Sequence, residues 1–283
     1  MATVGKNILD NLTTGMYSDS KVIYREYIQN ACDQIDLAVS VRLLAEEEGG
    51  VDIFIDMKKR HISIKDNATG IRAADFRENI GDIANSNKER GMHKGFRGIG
   101  RLCGLAYCKT LRFTTSYRGE TIRSIMIGDA KKMREMLAEN KKYTLDEIWD
   151  TIITYTTEPE KEEEHYFEVE LIDVNKENAD LLNEDKVRAY LSFVAPIPYK
   201  NTFFLREKIY AHAKRLGYRI DEYCIRLNGG QLFKEYTTNK MVAIQRIMTK
   251  SLVWSLRIFG MIEGNSLRGC GWVFRDLKSK SPR

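Results

Sequence analysis

Between residues 26 and 39 the sequence imposes two requirements on a single helix. Ile28, Ala31, Cys32, Ile35, Ala38 and Val39 recur at the three- and four-residue spacing of an apolar helix face. Glu26, Asn30 and Asp33, within REYIQNACDQ, stand four and then three residues apart. At about 100° per residue those three polar groups share one narrow sector. One side of the helix is therefore core, while the acid, amide and acid of the other side face something outside it. Ser18, Asp19 and Ser20 are N-cap candidates, and Gly49-Gly50 is the expected stop.

Sheet-forming segments follow. In VDIFIDMKKRHISIKDNATG, Val51, Ile53, Ile55 and Met57, then Ile62 and Ile64, alternate across a Lys58-Lys59-Arg60 turn, which predicts a β-hairpin ending at Asp66. Residues 73–84 read as a short helix, NSNKERGMHKGFRGIG as a glycine-punctuated loop, and Leu102 to Cys108 as helix. TLRFTTSYRGETIRSIMIG predicts a second hairpin, residues 130–155 a charged and mostly helical stretch, and YFEVELIDV a strand from Tyr166. The acidic run EPEKEEE, Glu158 to Glu164, is expected as a solvated loop. VAPIPYK, with Pro196 and Pro198, breaks any helix and suits a linker. Beyond it, FLREKIYAHAKRLG predicts a helix and YCIRLNGGQLFKEY a hairpin turning at Gly229-Gly230. The closing WVFRDLKSKSPR reads as a strand lacking its partner, as in a fragment of something longer.

Composition removes several classes of function. No apolar run approaches the roughly 20 residues that span a bilayer, and MATVGKNILDNL lacks the order of a signal peptide. The expectation is a soluble cytoplasmic protein with no membrane partner. Five scattered cysteines and four histidines give neither a disulfide framework nor zinc-ligand spacing. A balance of 45 basic against 40 acidic residues permits an anionic ligand without calling for nucleic acid.

Three stretches carry chemistry: the polar sector of the first helix, Asp66 with Gly70 at a strand end, and GFRGIG with Gly95, Gly98 and Gly100 leading into a helix. Free N–H groups at such a helix start suit a phosphate. The glycines match neither the dinucleotide fingerprint, since Gly104 comes one residue late after Gly98-Ile99-Gly100, nor the P-loop pattern. Taken singly, each residue has a structural alternative: Glu26 facing the helix dipole, Asn30 bonding local backbone, Asp33 as a surface acid, Asp66 capping a turn.

The order of the pieces resembles the Bergerat-type GHKL ATPases, the family of gyrase, heat-shock protein 90-type chaperones, histidine kinases and MutL. E-x-x-x-N-x-x-D is matched by Glu26, Asn30 and Asp33, D-x-G-x-G by Asp66 and Gly70 with Ala68 at its first glycine, and G-x-x-G-x-G by Gly95, Gly98 and Gly100. NIGDIANSNK is similar to a stretch of the heat-shock protein 90 class and brings in Asn79. The resemblance covers residues 5–175 and is strongest to the N-terminal ATPase domain of those chaperones. Departures stand at Ala68, at Asn85 for a lysine, at Arg101 for an aromatic residue, and at His165-Tyr166 for a Gly-Thr pair.

The resemblance implies an α+β fold, a two-layer sandwich with helices covering one face of a mixed sheet. It implies an ATP-binding domain over residues 1–198 and part of a transducer-like α+β domain over 199–283. ATP and Mg²⁺ are the implied cofactors. Glu26 would be the general base for the attacking water, Asn30 the magnesium ligand, and Asp66 the acceptor for the adenine amine, since a carboxylate accepts where that amine donates. Asn30, Asp33, Gly70, Ile71, Asn79, Lys88, Gly95, Phe96, Arg97, Gly98, Ile99 and Gly100 would complete the nucleotide contacts, and Arg268 or Arg275 could reach the γ-phosphate. Slow hydrolysis driving lid closure and a chaperone-like cycle is the expected function, with homodimerisation and a client protein as possible consequences. A MutL- or MORC-like nucleic-acid clamp and a non-hydrolysing interaction module are the alternatives.

Overall fold

The computed structural model describes residues 19–81, 100–139, 143–234, 260–263 and 266–269. Two compact units are distinguished, one of residues 1–191 with 223–232 and the other of residues 192–222 with 233–283.

The first unit is built on an eight-stranded mixed sheet in the order β5-β4-β3-β6-β2-β1-β7-β8. Its strands are β1 Gly50–Asp56, β2 His61–Asp66, β3 Cys108–Ser116, β4 Ile122–Asp129, β5 Ile153–Pro159, β6 Tyr166–Val174, β7 Cys224–Leu227 and β8 Gly230–Gln231. Every pairing is antiparallel except that of β1 with β7, where Val51 lies opposite Ile225. Strand alternation separates the two faces. Ile53, Ile64, Val169, Phe113 and Met126 stand side by side across five strands as one buried row. The neighbouring row, Phe54, Ser63, Glu170 and Arg112, points the other way, with Phe54 51% exposed and Glu170 paired to both His61 and Arg112.

Helices cover the buried face. α1, Val22–Ser40, packs on β1 and β2 and sets Ile23, Tyr24, Ile28, Cys32 and Ile35 in the core, each large apolar side chain contributing roughly 1.5–3 kcal/mol. α2 spans Ala73–Gly81, and a 3₁₀ helix, Gly100–Ala106, lies against α1. α3, Ala130–Ala138, is capped by Asp129, and α4, Leu145–Ile152, by a reciprocal Thr144/Glu147 pair. A second 3₁₀ helix, Lys176–Leu182, receives the Tyr24 hydroxyl at Leu181 O (2.6 Å), and α5, Glu184–Val194, follows it. The sandwich and the hairpins agree with the sequence.

Four local expectations are corrected. α1 stops at Ser40, well short of Gly49-Gly50, because Arg42 turns left-handed (φ 60°). The Arg42 and Leu43 amides then close on Val39 O and Ala38 O, a termination usually built with glycine. Ile153–Pro159 is a strand, so the helical stretch expected to residue 155 ends early and the acidic run begins inside the sheet. The segment after Gly100 is 3₁₀ rather than α, and β3 already begins at Cys108. The last hairpin turns at Asn228 (φ 47°) and Gly229 (φ 79°), one residue earlier than expected, with Leu227 opposite Gly230.

In the second unit α6, Arg206–Arg215, packs Ile209 beside Tyr199, Phe203 and Leu205, with the Tyr199 and Phe203 rings stacked at 5.3 Å. β9, Gly260–Glu263, and β10, Ser266–Gly269, form an antiparallel pair.

Candidate functional site

Asp66 ends β2 on the buried face, in line with Ile62 and Ile64, and is only 5% exposed. Burial pushes its carboxyl from 3.8 up to about 7, against the smaller downward pull of the Ala68 and Phe167 backbone amides. Ala68 N–H donates to Asp66 Oδ1 at 3.0 Å. A carboxyl so placed costs stability, and a cost of that kind is concentrated at functional sites.

The turn after Asp66 is held at several points. Asn67 bridges the Gly50 amide and the Glu48 carbonyl, both at 2.8 Å. Thr69 Oγ1 donates to Gln34 Oε1 on α1 (3.1 Å). Gly70 has φ +66°, and a β-carbon there would lie 1.8 Å from Ser116 O, so only glycine fits. Ile71 N–H donates to Thr115 Oγ1 (2.9 Å), whose hydroxyl donates to Tyr166 O (2.8 Å). His165 Nδ1 lies 2.7 Å from Ala68 O.

At the other end of the α1 sector, Glu26 lies against Gly100, where a β-carbon would come within 2.8 Å of Glu26 Oε2. Arg25 pairs with Glu26 at 3.0 Å. The neighbouring Tyr27 hydroxyl donates to Arg101 O (3.0 Å) and accepts from Gly104 N (2.9 Å), pinning the 3₁₀ helix to α1. Arg101 also donates from its guanidinium to the Asn79 carbonyl.

One helix face thus joins the turn at Gln34 to the glycine at Glu26, and Glu26 and Asp33 stand about 10 Å apart along its axis. Asp33 Oδ2 is buried with no hydrogen-bond partner among the described residues. That orphaned acceptor and the half-buried Asn30 fit a polar ligand lying along the sector. Asn79 is exposed near the end of α2, while Ile71 is half-buried beside the turn. The expected contacts Lys88, Gly95, Phe96, Arg97, Gly98 and Ile99 lie outside the described residues, as does Arg275. Arg268 falls in β10, opposite Met261. Cys103 and Cys108 are buried, and burial pushes both thiols up to about 12, as befits core residues.

Tyr27, Gln34, Thr115 and His165 are contacts that the motif reading did not supply. Gln34 and Tyr27 adjoin motif residues on α1, whereas Thr115 and His165 reach the turn only through sheet pairing.

A mixed sheet with a helical layer, an acid–amide–acid helix face and a buried strand-end aspartate define the class, an ATP-binding domain of the GHKL kind. Residues 17–162 match the family model described as "Histidine kinase-, DNA gyrase B-, and HSP90-like ATPase", and the chain belongs to that family. Among curated proteins it is 34% identical over 85 residues to the chaperone protein HtpG of Helicobacter hepaticus, covering 28% of this chain and 14% of that protein. It is 30% identical over 131 residues to HtpG of Psychrobacter cryohalolentis, covering 40% and 20%. The chain therefore spans only about a fifth or less of the length of these relatives. Among the described residues, no helix is long and apolar enough to cross a membrane.

Proposed function

We propose that the chain binds ATP with the adenine on Asp66 and the phosphates toward Glu26, and hydrolyses it slowly. The observation that carries this reading is the buried Asp66 carboxyl, raised to about 7 at the end of a core strand. Its ionised form accepts from the exocyclic amine, and the amine in turn stabilises that form. Gly70 lets the turn after Asp66 pack directly on the Ser116 and Tyr166 carbonyls, which sets the floor beneath Asp66, and Asp33 Oδ2 would supply a further acceptor.

Glu26 takes the proton of the attacking water, a role worth roughly 10²–10⁴ in rate. The closeness of Gly100 and the Arg25 ion pair restrict where its carboxylate can stand. Asn30 would hold Mg²⁺ through its amide oxygen, and the ion, when bound, would neutralise charge on the phosphates. Lys88 and Arg97 are proposed as phosphate contacts, and closure of their segment over ATP as the step coupling nucleotide to pairing of two copies or to a client. The chaperone names of the relatives support a chaperone-type cycle. Residues from about 199, apart from the strands β7 and β8, are proposed to belong to a transducer-like domain.

Calorimetric titration with a non-hydrolysable ATP analogue, with and without Mg²⁺, tests the reading. Magnesium-dependent binding that is lost in Asp66→Asn and kept in Glu26→Ala is expected. A folded wild type that binds nothing would overturn it.

A further inference from the structure

Two departures from the family pattern, Ala68 and His165, lie far apart in sequence and meet in the structure, with His165 Nδ1 2.7 Å from Ala68 O. A carbonyl oxygen carries no proton, so Nδ1 must donate, which fixes the neutral ring as the Nδ1–H tautomer and persists when the ring is protonated. Ala68 is 0% exposed, so its carbonyl has no water to turn to. The amide of the same residue donates to Asp66 Oδ1 at 3.0 Å. Ala68 is gripped on both sides, by a carboxylate at its N–H and by an imidazole at its C=O.

We propose that His165 is a positioning residue for purine recognition: it holds Ala68 so that the Ala68 amide keeps the Asp66 carboxylate turned toward the exocyclic amine of adenine. The proposal rests on the nucleotide reading above. Without His165 the buried Ala68 carbonyl is left unpaired, the residue can rotate about its φ and ψ, and its amide leaves Oδ1. The carboxylate then keeps only the Phe167 amide to hold it and can swing about that one bond away from the amine, so discrimination between a purine that donates at this position and one that accepts falls.

The side-chain chemistry supplies a sharp comparison. In His165→Asn the amide Nδ2 occupies the place of Nδ1 and can still donate to Ala68 O. In His165→Gln the donor stands one bond further out, at the place of Nε2, and cannot. The test is titration of the 283-residue chain and its variants with ADP and with IDP, whose hypoxanthine carries a carbonyl oxygen where adenine carries the amine. Thermal melting of each variant runs alongside.

The wild type is expected to prefer ADP. His165→Ala should lose about tenfold in ADP affinity while IDP affinity changes by less than about twofold, His165→Asn should return to within about threefold of wild type, and His165→Gln should resemble His165→Ala. Equal losses toward ADP and IDP, or rescue by Gln as good as by Asn, would overturn the positioning role while wild-type ADP binding and its loss in Asp66→Asn leave the nucleotide reading standing. A wild type that does not bind ADP, or an Asp66→Asn variant that binds it undiminished, overturns both.

Discussion

Gly100 lies so close to Glu26 that a β-carbon on it would come within 2.8 Å of Glu26 Oε2. The last glycine of the third motif thus makes room for the acid of the first. The nearest atom is the end of a flexible side chain, so an added methyl group displaces the carboxylate instead of breaking the fold.

Gly100→Ala should therefore fold and bind ADP within about threefold of wild type, yet turn over ATP at least about tenfold more slowly, since the general base is moved off its water. Calorimetry and steady-state phosphate release measure the two effects separately. A variant whose binding and turnover fall together would contradict a displacement confined to Glu26.

The Asp66 carboxyl gives two opposed pH dependences. Its folded value of about 7 exceeds the ordinary 3.8, so the native state holds the proton more tightly than the unfolded chain. Its contribution to stability is fully present below about pH 4 and is lost as pH rises through about 7, an effect of up to about 4 kcal/mol. Asp66→Asn without nucleotide should melt above wild type at pH 8, and the gap should shrink at pH 5. Nucleotide affinity runs the other way, because the amine needs the ionised carboxylate. ADP binding to wild type should be about tenfold weaker at pH 6 than at pH 8, with proton release seen by calorimetry in buffers of different ionisation enthalpy.

Asp33 carries a buried oxygen without a partner among the described residues, so truncating it removes a desolvation cost as well as an acceptor. Asp33→Ala should hold or raise the melting temperature of the nucleotide-free chain by about 2–4 °C while weakening ADP binding at least about tenfold. A lower melting temperature together with intact binding would mean that the carboxylate serves the fold.

Gly70 combines φ +66° with a β-carbon position 1.8 Å from Ser116 O and 3.0 Å from Tyr166 O, both of them backbone atoms. Gly70→Ala should cost about 2–4 kcal/mol in urea unfolding, through left-handed strain plus the shift of two strands. Asn67 and Gln34 would lose register with the turn, and nucleotide binding should fall with stability.

Much of the fold follows from short-range periodicity. α1, the hairpin of β1 and β2 and the hairpin of β3 and β4 follow from apolar spacing alone. The end of α1 does not, because Arg42 takes a left-handed conformation that favours glycine, and the chain gives no glycine there. β5 is hidden because it begins at Ile153, directly after α4 ends at Ile152, with no breaker between them. The 3₁₀ geometry after Gly100 accompanies the tight approach of Gly104, whose β-carbon would meet the Tyr27 hydroxyl at 2.6 Å and Leu111 at 2.7 Å. In the site, Glu26, Asn30 and Asp33 are legible as a helical face and Asp66 as a strand end. The bond of His165 to Ala68 joins residues 97 apart, and that of Thr115 to Ile71 joins residues 44 apart; pairing of β2, β3 and β6 creates these neighbours.

Among the described residues β7 is the one strand that pairs parallel in the sheet, and it reaches β1 only after the chain has passed through residues 192–222. A chain shortened to residue 191 would keep every motif residue on α1 and β2, yet β1 would become a bare sheet edge from Gly50 to Asp56, with Asp52 deprived of Arg226. Such an edge recruits other strands, so a minimal fragment drawn around the motifs would be lost to aggregation before its chemistry could be assayed.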